Sequence, residues 1–110
     1  MSPRFWAAAM LRERELMIQV LADANGPVDA VSLRYGLDML GSPVDAEHFK
    51  SHLGYLGERG YIRIDQRHMG TIRVALVELT ALGRDLYSGI KSDPGVGQGG
   101  ADVSLPAERG

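Results

Sequence analysis

Within one short stretch, Glu47, His48, Lys50, Ser51 and His52 crowd together. Lys50 offers an ammonium donor and Glu47 a carboxylate acceptor, with the Ser51 hydroxyl able to do either. On one side of a helix, such a set makes hydrogen bonds to flat polar edges. His48 and His52 stand four apart, a spacing that can chelate a metal ion on adjacent helical turns. The chain has no Cys, and Asp45 is the nearest candidate for a third ligand, so no metal is expected. His52 lies beside Phe49 and Leu53 and reads as a boundary residue with a satisfied ring. A second cluster is cationic. Between Arg59 and Arg73 stand four arginines (Arg59, Arg63, Arg67, Arg73) and one acid, Asp65, giving that segment a charge of +3. His68 sits at its centre. No Gly-rich phosphate loop and no nucleophile–base set occurs, so an enzyme is not expected.

The elements that position these residues follow from periodicity. Residues 27–41 (PVDAVSLRYGLDMLG) and 43–57 (PVDAEHFKSHLGYLG) repeat one plan at an offset of sixteen. Each opens on an Asp cap with a Val before it, at the spacing of a hydrophobic staple. Each carries an apolar stripe, Leu33–Leu37–Leu40 in the first and Phe49–Leu53–Leu56 in the second. Shared needs of cap and core account for much of the identity. In the second copy helical phase turns Glu47, Lys50, Ser51, Gly54 and Glu58 outward and leaves His48 and Tyr55 on the flank. Helices are expected over 5–23, 30–40 and 46–59. The period then changes to two, which predicts a hairpin of strands 61–65 and 71–79 with residues 66–70 at its tip. Thr80 caps a last helix over 81–88. Ser2-Pro3 suits the opening of the first helix, and the charged run Arg12–Glu15 interrupts its stripe as though the first part were a separate arm.

The bulk numbers bound the class. One domain over residues 1–89 and a flexible Gly-rich tail over 90–110 are expected, since 89–110 holds six of the fourteen glycines. No apolar run is long enough to span a membrane, and a cytoplasmic location is the default. The net charge of −2 is low for a nucleic-acid binder. Over 42–75 there are five cations and four acids, so a monomer should hold DNA weakly and a dimer better.

The order helix, helix, helix, hairpin, helix, with Leu53-x-x-Leu56-x-x-x-Gly60-Tyr61-Ile62 and Leu79-Thr80-x-x-Gly83, resembles the winged-helix regulators of the ArsR, MarR and PadR class. More narrowly, the chain is similar to small winged-helix proteins of Mu-like prophages. The resemblance implies an α+β winged helix-turn-helix that binds double-stranded DNA as a homodimer and regulates transcription. Glu47, His48, Lys50, Ser51, Gly54 and Tyr55 would then lie on the reader helix, with Arg63, Arg67 and His68 on the wing. Phe5, Trp6, Met10, Leu82 and Leu86 would build the dimer. The Cys motif of metal-sensing relatives is missing, so metal sensing does not carry over, and no cofactor is implied. A second class stays open: a winged-helix module that binds a phage or host protein and no DNA.

Overall fold

A computed structural model describes residues 3–98. Ser2, expected to cap the first helix, and positions 99–110 of the expected tail lie outside them. Four helices and three strands follow in order: α1 Pro3–Ala24, β1 Val28–Asp29, α2 Ala30–Met39, α3 Ala46–Glu58, β2 Ile62–Met69, β3 Ile72–Leu79 and α4 Ala81–Tyr87. The sheet is antiparallel in the order β1-β3-β2. This is the expected three-helix, hairpin, helix plan. None of the helices is long and apolar enough to cross a membrane.

The repeated Asp caps behave as their spacing dictates. Asp29 accepts from the Ser32 backbone N–H and Asp45 from that of His48, each satisfying one of the otherwise orphaned donors of the first turn. Both helices close alike: Ser42 N–H bonds to Leu37 and Tyr61 N–H to Leu56, six-residue closures through Gly41 and Gly60. Between them Arg34 Nε donates to the Val44 carbonyl at 2.8 Å, tying α2 to the α2–α3 connection.

The core joins Leu16, Met17 and Leu21 of α1 to Leu33 and Leu37 of α2, Phe49 and Leu56 of α3, Tyr61, Ile62, Val77 and Leu79 of the sheet, and Leu86 of α4. Each such side chain contributes about 1.5–3 kcal/mol through removal from water. Leu40 is 55% exposed and leaves the expected stripe, because α2 ends at Met39 and the chain turns away. Leu53 is only partly buried, and His52 is as fully buried as Leu56.

Three further expectations are corrected. The first helix is continuous, with no break at Arg12–Glu15. Arg14 and Glu15 are themselves buried there. The hairpin tip is not the five residues 66–70. Both strands run eight residues to Met69 and Ile72, leaving a two-residue turn, Gly70-Thr71. Gly70 has φ +66 while Thr71 stays out of the left-handed region, the arrangement of a II′ turn that matches strand twist. And residues 90–98 are no free tail. They form a strap across α1 and α3 in which Asp93 and Val96 are buried and Gly97 N–H bonds to the Leu11 carbonyl at 2.9 Å.

One carboxylate gathers several of the strap's contacts. The Tyr55 and Tyr61 hydroxyls donate to the two oxygens of Asp93, Gly95 N–H donates at 2.7 Å, and Arg59 lies 3.6 Å away. Burial pushes the Asp93 carboxyl up. The hydroxyls, the amide and Arg59 outweigh that and hold it below its usual range. Asp93→Ala leaves the buried Tyr61 hydroxyl and the half-buried Tyr55 hydroxyl without their acceptor, so a loss of about 2 kcal/mol is expected. Hydrogen exchange should show the loss confined to 90–98 and the ends of α3; unchanged protection there would refute the strap's role.

Candidate nucleic-acid interface

α3 presents a complete uncovered face. Glu47, His48, Lys50, Ser51, Gly54 and Glu58 are all exposed, while Phe49, His52 and Leu56 turn inward. The five residues that helical phase turns outward, Glu47, Lys50, Ser51, Gly54 and Glu58, are all exposed; of the two placed on the flank, His48 is exposed and Tyr55 is half-buried. Its hydroxyl is taken by Asp93 and its ring lies between the guanidinium groups of Arg14, 4.0 Å from the centroid, and Arg59, 4.8 Å away. It belongs to the strap contact.

At the start of the helix His48 is oriented by its own cap. Asp45 accepts both the His48 backbone N–H and its ring Nδ1, each at 2.8 Å. The side-chain hydrogen bond and charge of Asp45 push the His48 pKa up, while the backbone bond first and the ring second hold Asp45 below its ordinary value. Asp45 thus favours the imidazolium form at the first turn of the exposed face, relative to a free histidine. The Lys50, Ser51 and Glu47 side chains make no hydrogen bond or ion pair with the described residues, and all three are exposed.

The wing projects. From Arg63 through Arg73 every residue is exposed. Eight residues per strand carry it about 26 Å, at 3.3 Å per residue. Its charge is smaller than the arginine tally implies. Arg63 pairs with Glu78 directly across the strands, Arg67 Nε with Asp65 at 2.8 Å, and Arg59 with Asp93. Glu78 and Asp93 fall outside the +3 segment, so counting along the chain missed them. The Arg63 and Arg67 pairs are exposed, so they are worth little and open readily to a competing anion, whereas Asp93 is buried. Arg73 has no acidic partner among the described residues and faces His68 across the ladder. Alternation from a two-residue turn identifies Arg73, but the five-residue tip read from the sequence hid it.

Behind the exposed face lies an unforeseen buried polar group. The His52 side chain is fully buried, with Nε2 at 2.7 Å from Glu13 and Nδ1 at 3.0 Å from Arg14 Nε. Arg can only donate, so Nδ1 accepts and the ring is neutral, with its hydrogen on Nε2 toward Glu13. Arg14 also donates to the Gly95 carbonyl at 3.0 Å. The expected boundary histidine is thus the link between α1, α3 and the strap. With both nitrogens engaged, it does not pair with His48 as a chelate, and no group of three or more potential ligands occurs among the described residues.

The residues expected at a dimer contact divide. Phe5 and Trp6 are 52% and 53% exposed and meet edge to face, Met10 is half-buried and Leu82 is 38% exposed. Leu86 is 4% exposed, packed in the core of its own chain, and is withdrawn from that set. α4 turns this side chain inward because Gly83 lets the helix sit directly on the Tyr61 backbone.

Two solved structures share the arrangement. Over 74% of this chain and 48% of the other, it superposes with TM-score 0.61 and 17% identity on Bacillus subtilis PadR in complex with operator DNA. Over 68% of this chain and 67% of the other, it superposes with TM-score 0.59 and 19% identity on a PadR family transcriptional regulator from Eggerthella lenta DSM 2243. The chain thus spans about half the length of the first of these. The fold is a winged helix, with α2–α3 as the helix pair and β2–β3 as the wing. No protein-family profile matches the sequence, and no curated protein matches it.

Proposed function

We propose that the chain is a DNA-binding transcriptional regulator that acts as a dimer, in a phage or prophage setting. The carrying observation is the α3 face. It is a capped helix with an entire outward side uncovered, braced from behind by α1 and followed by a projecting ribbon. Glu47, Lys50 and Ser51 read base edges in the major groove, Lys50 toward guanine and Glu47 toward cytosine. Gly54 allows close approach. Arg73 and His68, with Arg63 and Arg67 after release from their acids, contact phosphate. The presence of operator DNA in the B. subtilis structure supports the reading.

The test is fluorescence anisotropy on duplexes selected from a random pool at stated salt. Lys50→Ala combined with Arg73→Glu should lower affinity at least about tenfold, since two phosphate or base contacts are lost. With so few unpaired cations, the dependence of log Kd on log salt should be shallow, corresponding to about two to four phosphates per protomer. No binding to any duplex at low salt would overturn the reading. Dimerisation through Phe5, Trp6 and Met10 predicts a twofold mass by sedimentation that falls to the monomer in Trp6→Glu.

A second reading has its own observation. Val31, Tyr35 and Met39 recur at i, i+4 and i+8 on α2 and are 60%, 60% and 87% exposed, with Leu40 beside them. An apolar helical stripe of that kind suits a protein partner. If that partner is the function, its complex survives charge reversal of the wing and is lost in Tyr35→Asp.

A further inference from the structure

Met69 and Ile72 oppose each other across the ladder, one on each side of the Gly70-Thr71 turn. They are 69% and 64% exposed and belong to no part of the core. Two large apolar side chains at the leading edge of a ribbon add nothing to the core, and polar residues would suit a solvated tip better. Charge surrounds them. Behind Met69 on the same face stands Arg67, and strand alternation puts Arg73 and His68 on the opposite face. The tip thus carries an apolar point with a guanidinium on either side of the ribbon. Asp65 is the nearest acid, already shared with Arg67.

That combination selects one class of occupant. Two strand axes about 4.8 Å apart make a blade wider than the minor groove, about 6 Å across, so only the two-residue turn and its flanking side chains can enter, tip first. The groove walls are rows of phosphates, which match cations placed on both faces of the blade. Its floor is a stack of bases, which apolar side chains can enter and part. Resting on the DNA-binding reading above, we infer that Met69 and Ile72 form a wedge that enters the minor groove and partly unstacks one base step, bending the duplex. The wedge acts where unstacking costs least, at a TA or CA/TG step in A·T-rich sequence. A narrow A·T groove also draws the arginines most strongly. Sequence preference would then arise at a step beside the one read by α3.

The test uses the full chain at low salt with duplexes carrying a central TA step in A·T-rich flanks. One set has 2-aminopurine at the step, and another has donor and acceptor dyes at the ends. The wild type should raise 2-aminopurine fluorescence about twofold or more and increase end-to-end energy transfer, as for a wedge that unstacks and kinks. The double variant Met69→Ser, Ile72→Thr should abolish both signals while the anisotropy Kd changes less than about tenfold, because the cations remain. Both positions are solvated, so its thermal melt should match the wild type. Bound duplex with silent 2-aminopurine and unchanged energy transfer overturns the wedge while leaving DNA binding in place. So does a double variant that keeps both signals. A double variant that instead sediments as a smaller species assigns the pair to a second copy of the chain and overturns the wedge. Absence of binding by the wild type in the anisotropy arm overturns the DNA reading and the wedge with it.

Discussion

Gly83→Ala is expected to destabilise the fold by about 3 kcal/mol, although the change usually favours a helix. In a helix interior Ala gains about 1 kcal/mol over Gly. Here a Cβ would stand 2.2 Å from the Tyr61 carbonyl oxygen and 2.6 Å from Leu79 Cδ1. The first is backbone and cannot rotate away. α4 would have to lift from the end of β3, where Thr80 holds three connections. Its backbone N–H bonds to Tyr61, its hydroxyl donates to the Gly60 carbonyl, and the same hydroxyl caps Gly83. Overpacking costs typically 1–3 kcal/mol and more when backbone must shift, so the clash outweighs propensity. Urea unfolding would measure it. Gly54→Ala is the internal contrast, since nothing lies within 4 Å of a Cβ there. It should stabilise by about 0.5–1 kcal/mol. Equal effects at the two positions would refute the account.

His52→Leu should cost about 3 kcal/mol, and the reason lies in what remains. The volumes are similar, but Arg14 Nε and the Glu13 carboxylate lose their partner in a largely buried site. Orphaning such groups costs more than the hydrogen bonds themselves are worth. His52→Gln keeps one donor and one acceptor and should fall between the two. The pH dependence separates these proteins further. Burial is the main cause lowering the His52 pKa; Glu13 opposes it and Arg14 reinforces it. A histidine neutral in the fold and free to protonate when unfolded binds more protons unfolded. Its contribution is therefore complete above about pH 6.5, the unfolded value, and is lost as pH falls toward the depressed folded value. His48 runs the other way, stabilising below its unfolded value and fading as pH rises through its raised one. It is present in both proteins and cancels in the comparison. Thermal melts from pH 7.5 to 5 should show the wild type losing more than His52→Gln; parallel curves would exclude a neutral buried His52.

Why these features were or were not legible in the sequence has a physical pattern. Asp29 and Asp45 were legible because a cap acts over three residues, and so was the inward face of α2 and α3 as far as Leu37 and Leu56. The motif Leu79-Thr80-x-x-Gly83 was visible as a pattern, but its cause, the approach of Gly83 to Tyr61, needs the third dimension. β1 is two residues long and has no period to read. The wing length was missed because Gln66, Arg67, His68 and Met69 are solvated on both faces, which erases the alternation that marks a half-buried strand. The strap was missed for a related reason. Its Gly and Pro content reads as loose chain, whereas its order comes from partners 38 and 32 positions away, Tyr55 and Tyr61. His52 was read by its neighbours on α3, while its partners are on α1. Of the interface, the α3 face followed from helical phase, and the pairing of Arg63 with Glu78 did not.

The uninterrupted β2–β3 register, from Ile62 opposite Leu79 out to Met69 opposite Ile72, leaves the ribbon no slack. Lengthening β2 alone by a single position would swing Arg63 toward the core and Ile62 into water, unless a bulge absorbed it. Matched additions of one residue to each strand near the tip preserve every inner pairing. The wing can therefore grow or shrink across related chains only by even totals, and its reach is quantised in steps of about 3.3 Å.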